Sequence, residues 1–262
     1  MRDSMPTIFV SHGAPSLLLD RDPTFHFFKK LGRLIPPPKA ILCVSAHWQT
    51  HNPTTTGNPK PETIHDFYGF PKALYEISYP VPGDSRLAQT VREMLIGSGF
   101  ECDVDEGRGL DHGTWVPLKL MYPSAEIPTI QLSVQTAAGS EYHLKIGRAL
   151  QPLRQHGVLI LGSGGATHNL RELGRYPIDA GPQPYADEFD AWLCESIQNA
   201  GEDDLLTYKE RAPSAARNHP TDEHFLPLFV PLGAGGKGAK GKQLHHGFTY
   251  GLFSMAAYAW GI

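Results

Sequence analysis

The stretch Ala40-Ile41-Leu42-Cys43-Val44-Ser45-Ala46-His47-Trp48 constrains this chain more than any other. It is apolar and partly β-branched, and it lies between Pro36-Pro37-Pro38 and Asn52-Pro53, the pattern of a parallel strand buried on both faces. Such a strand has no use for a terminal imidazole unless its end opens on a site, and in open α/β sheets the carboxyl edge is where ligands bind. Thr7-Ile8-Phe9-Val10 repeats the arrangement, running into Ser11-His12-Gly13. A hydrogen-bonded strand terminus explains one such histidine. Two in matching positions make a shared metal ion the first chemistry to test.

The rest of the chain alternates between helical and strand patterns. Asp22-Pro23 opens a helix that runs to about residue 34, with Asp as cap and Pro at the first turn. Residues 75–79 alternate like a strand. Pro82-Gly83-Asp84 starts a helix whose stripe is Leu87, Val91, Met94 and Leu95. Strands are expected over 100–104, 128–134 and 158–161, and helices over 116–121, 140–156 and 185–200. A further helix is expected from Thr221, with Asp222 and Glu223 in its first turn, and 247–260 is apolar enough to finish the sheet. The expectation is one α/β catalytic domain over residues 1–262, with a mainly parallel central sheet flanked by helices.

Composition narrows the function. A net charge of −4 gives no sign of a nucleic-acid partner, and no apolar run approaches the ~20 residues that a membrane helix needs. Met1-Arg2-Asp3-Ser4-Met5-Pro6 lacks the apolar core of a signal peptide. Cys43, Cys102 and Cys194 are odd in number and widely spaced, which argues against a disulfide framework and for a reducing cytoplasm. The residues set no oligomeric state.

Several motifs are incomplete. Gly236 to Lys242 has the spacing of a phosphate loop, but Gln243 stands where the magnesium-binding hydroxyl belongs. Gly162-Ser163-Gly164-Gly165 is not a nucleophile elbow, and there is neither His-Glu-x-x-His nor Cys-x-x-Cys. The histidines remain. His26, His51, His143 and His156 read as solvated, and His245 and His246 are ambiguous. His12, His47, His112, His168 and His224 each close a strand or open a helix beside small residues. Five imidazoles so placed can converge on one sheet edge, as ligands for iron, zinc or copper.

Ser11-His12-Gly13, Ser45-Ala46-His47-Trp48, His65-Asp66-Phe67-Tyr68-Gly69-Phe70-Pro71, Asp111-His112-Gly113, Gly164-Gly165-Ala166-Thr167-His168-Asn169 and Asn218-His219-Pro220 through Glu223-His224-Phe225 together resemble the extradiol ring-cleaving dioxygenases. The superfamily is that of the protocatechuate 4,5-dioxygenase catalytic subunit, and the branch is that of the DOPA-4,5-extradiol-dioxygenase-like proteins. The resemblance implies a non-haem ferrous ion, Fe²⁺, with His12 and His47 as ligands. The superfamily's third ligand is a glutamate; here the matching position is His224, with Glu223 beside it. Three neutral imidazoles also hold catalytic zinc, so Zn²⁺ is a possible occupant of the isolated protein, with Fe²⁺ the functional expectation. His168 and His112 match the histidines assigned to acid–base work and substrate contact. His65, Tyr68 and Trp115 are the expected pocket walls.

The implied substrates are a small catechol such as DOPA and O₂. A facial set of three protein ligands leaves positions for both, and a histidine can take and return the catechol proton at neutral pH. Two alternatives use the same residues: a zinc hydrolase acting through a metal-bound hydroxide, and a metal-binding scaffold without chemistry. The presence of both His112 and His168 favours the dioxygenase, since a scaffold needs no proton donors.

Overall fold

The β-branched and aliphatic runs become strands in the computed structural model, which describes residues 4–262. In chain order these are β1 Thr7–Ser11, β2 Ala40–Gln49, β3 Thr54–Thr56, β4 Asp103–Asp105, β5 Thr129–Val134, β6 Val158–Gly164, β7 Lys242–His245, β8 Phe248–Thr249, β9 Phe253–Ser254 and β10 Ala257–Trp260. One sheet has the order β4-β3-β5-β2-β6-β1-β10-β7, and β8 pairs separately with β9. Inner strands β5, β2, β6 and β1 are mutually parallel. On one flank β10 and β7 run antiparallel. On the other, β3 opposes β5 and carries β4 parallel beside it. This is the α/β class that the alternation of patterns implies.

Successive side chains of a strand face opposite sides, and both sides here are covered. Ile8, Val10, Ile41, Cys43, Leu159 and Leu161 pack with residues of helices Pro23–Leu34 and His112–Met121. Leu42, Val44 and Ile160 pack instead with Ile146, Leu150 and Val230, from helices Gly139–Leu150 and Phe229–Gly235. All of these strand residues are fully buried, and each large aliphatic side chain so buried stabilises the fold by roughly 1.5–3 kcal/mol. Two helix starts fall where the sequence placed them. Asp22 accepts from the Phe25 N–H at 2.8 Å, and Asp84 accepts from the Leu87 N–H at 2.9 Å at the head of Ser85–Gly97.

Four expectations fail for local reasons. Strand β2 does not stop at His47. Its pairing with β6 ends at Ser45 opposite Ser163 and its pairing with β5 is irregular between Val44 and Gln49, so His47 lies where the strand has left its ladder. Residues 75–79 form no strand: Lys72–Tyr75 is a helical turn, and Tyr79 turns inward to donate to the Leu118 and Tyr122 carbonyls at 3.1 and 2.9 Å. Its backbone N–H donates to the Thr63 hydroxyl at 2.9 Å and not to a neighbouring strand. Thr221 caps no helix, because its hydroxyl donates to Glu223 and Asp222 is drawn to Tyr208 and Lys209. Helix Phe229–Gly235 begins later, after a short 3₁₀ turn, Leu226–Leu228. His143 is fully buried rather than solvated, donating from Nδ1 to the Gly139 carbonyl at 2.7 Å and accepting from the Gln135 N–H.

Met1 to Asp3, part of the segment read as lacking a signal core, lie outside the described residues. Among the described residues no helix is long and apolar enough to cross a membrane, and all three cysteines are free. The register across β1, β6 and β2 sets Ser11 beside Gly164 and Ser45 beside Ser163. Three carboxyl ends thus finish side by side, and the site stands on that row.

Candidate active site

His12 follows directly on β1, and its Nδ1 lies 3.0 Å from the Ser163 hydroxyl of β6. Ser163 gives its own hydrogen to the Gly113 carbonyl, so its oxygen accepts from His12 Nδ1–H and the lone pair of His12 sits on Nε2. His224 repeats this logic with the Glu223 carboxylate, 2.9 Å from its Nδ1. His47 turns its Nδ1 to Asp66 Oδ2 at 3.6 Å. In each ring the proton is drawn to Nδ1 and Nε2 is left as a donor atom.

One potential ligand nitrogen from each of His12, His47 and His224 lies within 4.8 Å of the other two. The Nε2 atoms of His12 and His47 are 3.0 Å apart. Two lone pairs at that distance repel unless a proton or cation lies between them. Two imidazoles bonded at about 2.1 Å to one ion, at right angles, stand about 3.0 Å apart. The residues therefore fit a metal ion. Burial, reinforced by the neighbouring imidazoles, lowers His12 and His224 well below the ordinary histidine range and lowers His47 to about 3 against the pull of Asp66. All three are neutral at pH 7, the form that binds metal.

Two glycines let these histidines approach. A Cβ on Gly164 would sit 2.1 Å from the His224 carbonyl oxygen, so the loop carrying His224 lies directly on the β6 backbone. A Cβ on Gly113 would meet Ser45 Oγ at 2.5 Å and His47 Cδ2 at 3.0 Å. That second contact belongs to the start of helix His112–Met121. Asp111 caps it while also accepting from the Ser45 hydroxyl at 2.7 Å and from the Gln131 amide.

His112 donates both its backbone N–H and its Nδ1–H to Asp66 Oδ1, each at 2.9 Å. Burial raises the Asp66 carboxyl, but the bonds from His112 outweigh it and hold the group at about 2. His168 stacks on His224, ring centroids 3.4 Å apart and planes 11° from parallel, with Nδ1 4.0 Å from Glu223. Burial lowers His168 to about 4, so its ring is neutral at pH 7. His219 anchors the turn before His168 by donating from Nε2 to the Ala166 carbonyl at 2.9 Å.

All five histidines line one cavity of about 370 Å³, with Phe67, Phe70, Leu170, Tyr250 and Phe253 among its walls. Apart from the histidines, the charged residues lining it among the described residues are Asp20 and Asp22, with no Lys or Arg. The expected walls His65, Tyr68 and Trp115 are not part of this lining. Trp115 is fully buried in its helix and donates to the Ile64 carbonyl. His65 bonds the Ile77 carbonyl and faces a separate surface groove. Tyr68 is 92% exposed. Neighbouring side chains of this irregular segment point opposite ways, so Phe67 and Phe70 enter where Tyr68 does not. Sequence reading also passed over Asp66 and Ser163, although both stand inside motifs it had singled out.

The family model described as the catalytic LigB subunit of aromatic ring-opening dioxygenase matches residues 5–261. A protein of Beta vulgaris named 4,5-DOPA dioxygenase extradiol is 43% identical over 256 residues, covering 96% of this chain and 95% of that one. Its namesake in Escherichia coli K12 is 39% identical over 233 residues, 88% and 85% of the two chains. A crystal structure of an uncharacterized protein from Escherichia coli K12 superposes with a TM-score of 0.82 at 31% identity, covering 98% of this chain and 99% of that one.

Proposed function

The chain belongs to the LigB family of aromatic ring-opening dioxygenases, and on that premise we propose that it opens the ring of a small catechol such as DOPA, using O₂ and a ferrous ion held by His12, His47 and His224. The activity is extradiol ring cleavage, as in its named relatives. The observation that carries the ligand assignment is the convergence of those three rings, with each Nδ1 facing an oxygen of Ser163, Asp66 or Glu223 and the Nε2 atoms of His12 and His47 3.0 Å apart. A bound ferrous ion supplies a single centre at which catechol and dioxygen are held together and can exchange electrons.

The chain's own residues handle the protons and the fit. His168, neutral through burial, accepts the proton that a catechol hydroxyl sheds on binding and later returns it to the product. His112, whose Nδ1 is committed to Asp66, offers Nε2 as a polar contact for substrate. Phe67 and Phe253 wall the ring's place from water. With Asp20 and Asp22 in the lining and no cationic side chain there among the described residues, a catechol bearing an ammonium group fits better than one bearing only a carboxylate. The free cysteines suit a reducing cytoplasm.

Zn²⁺ binds three-imidazole sites as well as iron does, but it has no redox chemistry. Anaerobic reconstitution with Fe²⁺ or Zn²⁺, followed by DOPA in air, tests the reading. A yellow ring-opened product with iron alone is expected; no product with iron, or equal turnover with zinc, overturns it.

A further inference from the structure

Asp66 stands on an irregular segment, yet both ends of its short span are fixed. Ile64 donates to the Leu110 carbonyl at 2.8 Å and accepts from Trp115 Nε1 at 2.9 Å. Phe67 is buried against Tyr75 and Phe70, with ring centroids 5.0 and 5.4 Å away. Between these anchors the Asp66 side chain turns inward and is only 24% exposed. Its two oxygens do different things. Oδ1 receives both the backbone N–H and the Nδ1–H of His112 at 2.9 Å; Oδ2 faces the Nδ1 of His47 at 3.6 Å.

We propose that Asp66 is a positioning residue that sets two functional imidazoles from one carboxylate, fixing the ring and tautomer of His112 through Oδ1 and biasing the tautomer of His47 through Oδ2. The proposal rests on the reading of His47 as a metal ligand and His112 as a substrate-facing group. A carboxylate only accepts hydrogen bonds, so two donors of one residue converging on one oxygen set both the ring plane and the site of the proton. His112 then presents an unprotonated Nε2 to the cavity. The His47 contact is longer than a hydrogen bond and acts through charge. Among the described residues no other side chain or carbonyl is hydrogen-bonded to that Nδ1, so the anionic oxygen alone draws the proton there. Carboxylates behind metal-binding imidazoles raise the basicity of the ligating nitrogen in this way. The two rings lie 3.9 Å apart, so one carboxylate keeps them in a constant relation.

The division of labour between the two oxygens gives the test. Asp66→Asn keeps an oxygen for His112 but sets an N–H₂ against the Nδ1–H of His47; Asp66→Ala removes both supports. In Asp66→Asn the dissociation constant for Fe²⁺ or Zn²⁺, measured by chelator competition, is expected to rise about tenfold or more. Nitrogen NMR of the histidine-labelled apoprotein should still show His112 protonated on Nδ1. Asp66→Ala is expected to lose metal affinity similarly, to show His112 as a mixture of tautomers, and to lose about tenfold more kcat at saturating iron than Asp66→Asn does. Unchanged metal affinity in Asp66→Asn removes the His47 half, and an unchanged His112 tautomer in Asp66→Ala removes the other half. Should Asp66→Ala fail to fold, the His112 half is read from Asp66→Asn, whose loss of Nδ1 protonation would overturn it. Failure of the wild-type protein to open catechols would overturn the dioxygenase reading and leave the tautomer result standing.

Discussion

The five imidazoles fall into two halves that are held differently. His12, His47 and His112 stand at the sheet edge, where Ser163 and Asp66 meet their Nδ1 atoms at 3.0, 3.6 and 2.9 Å. His168 and His224 come from irregular backbone and share one carboxylate, Glu223, which lies 2.9 Å from His224 but 4.0 Å from His168. The first half is locked by groups from strands, a helix start and an anchored loop. In the second, His168 is kept in place by stacking on His224 and by its backbone bond to the Asn218 carbonyl, and among the described residues its ring nitrogens make no hydrogen bond. A ligand nitrogen must stay put, whereas a group that takes and returns a proton must not have its nitrogen already engaged. His224, a proposed ligand, is held at Nδ1 by Glu223, so the ring that stands apart from the other four is that of His168.

That contrast can be broken from either side. The largest effect is expected at His168. In His168→Ala, kcat should fall about 10²–10⁴-fold, the range for loss of general acid–base catalysis, with metal content unchanged; steady-state kinetics beside metal analysis decides it. A smaller effect is expected at Glu223. Glu223→Ala removes the acceptor behind His224 and should weaken metal binding about 10–100-fold, measured by competition with a chelator. A loss of turnover at saturating metal as deep as that of His168→Ala would mean that Glu223 serves His168 instead. The smallest effect is expected at Tyr68, which points away from the cavity. Tyr68→Ala should leave KM for DOPA within about twofold, as exposed substitutions usually do, and a large rise in KM would mean that this side chain folds over bound substrate.

The strands that end on the site were legible because doubly buried parallel strands print their burial as unbroken apolar runs. Four of the histidines were legible because each breaks such a run or stands near glycine; His224 has neither mark and was singled out as the opening of a helix, which begins only at Phe229. What supports them was not. Ser163 and His12 are 151 residues apart, and Asp66 and His112 are 46 apart. Such pairings are set by sheet order and loop packing, which local pattern does not encode. Residues 75–79 misled for a related reason: alternation does not supply a partner strand, Tyr75 stays exposed, and the Tyr79 N–H is taken by the Thr63 hydroxyl. His143 was misread because a buried imidazole satisfied by a carbonyl and an N–H carries no mark in its neighbours.

The central claim is that His12, His47 and His224 together hold one metal ion. Its most direct test is metal content after anaerobic loading with Fe²⁺ and desalting, in the wild-type protein and in His12→Ala, His47→Ala, His224→Ala and His168→Ala. The account expects a single ion per chain in the wild type and in His168→Ala and almost none in the other three. Full metal content in all three ligand variants would contradict it.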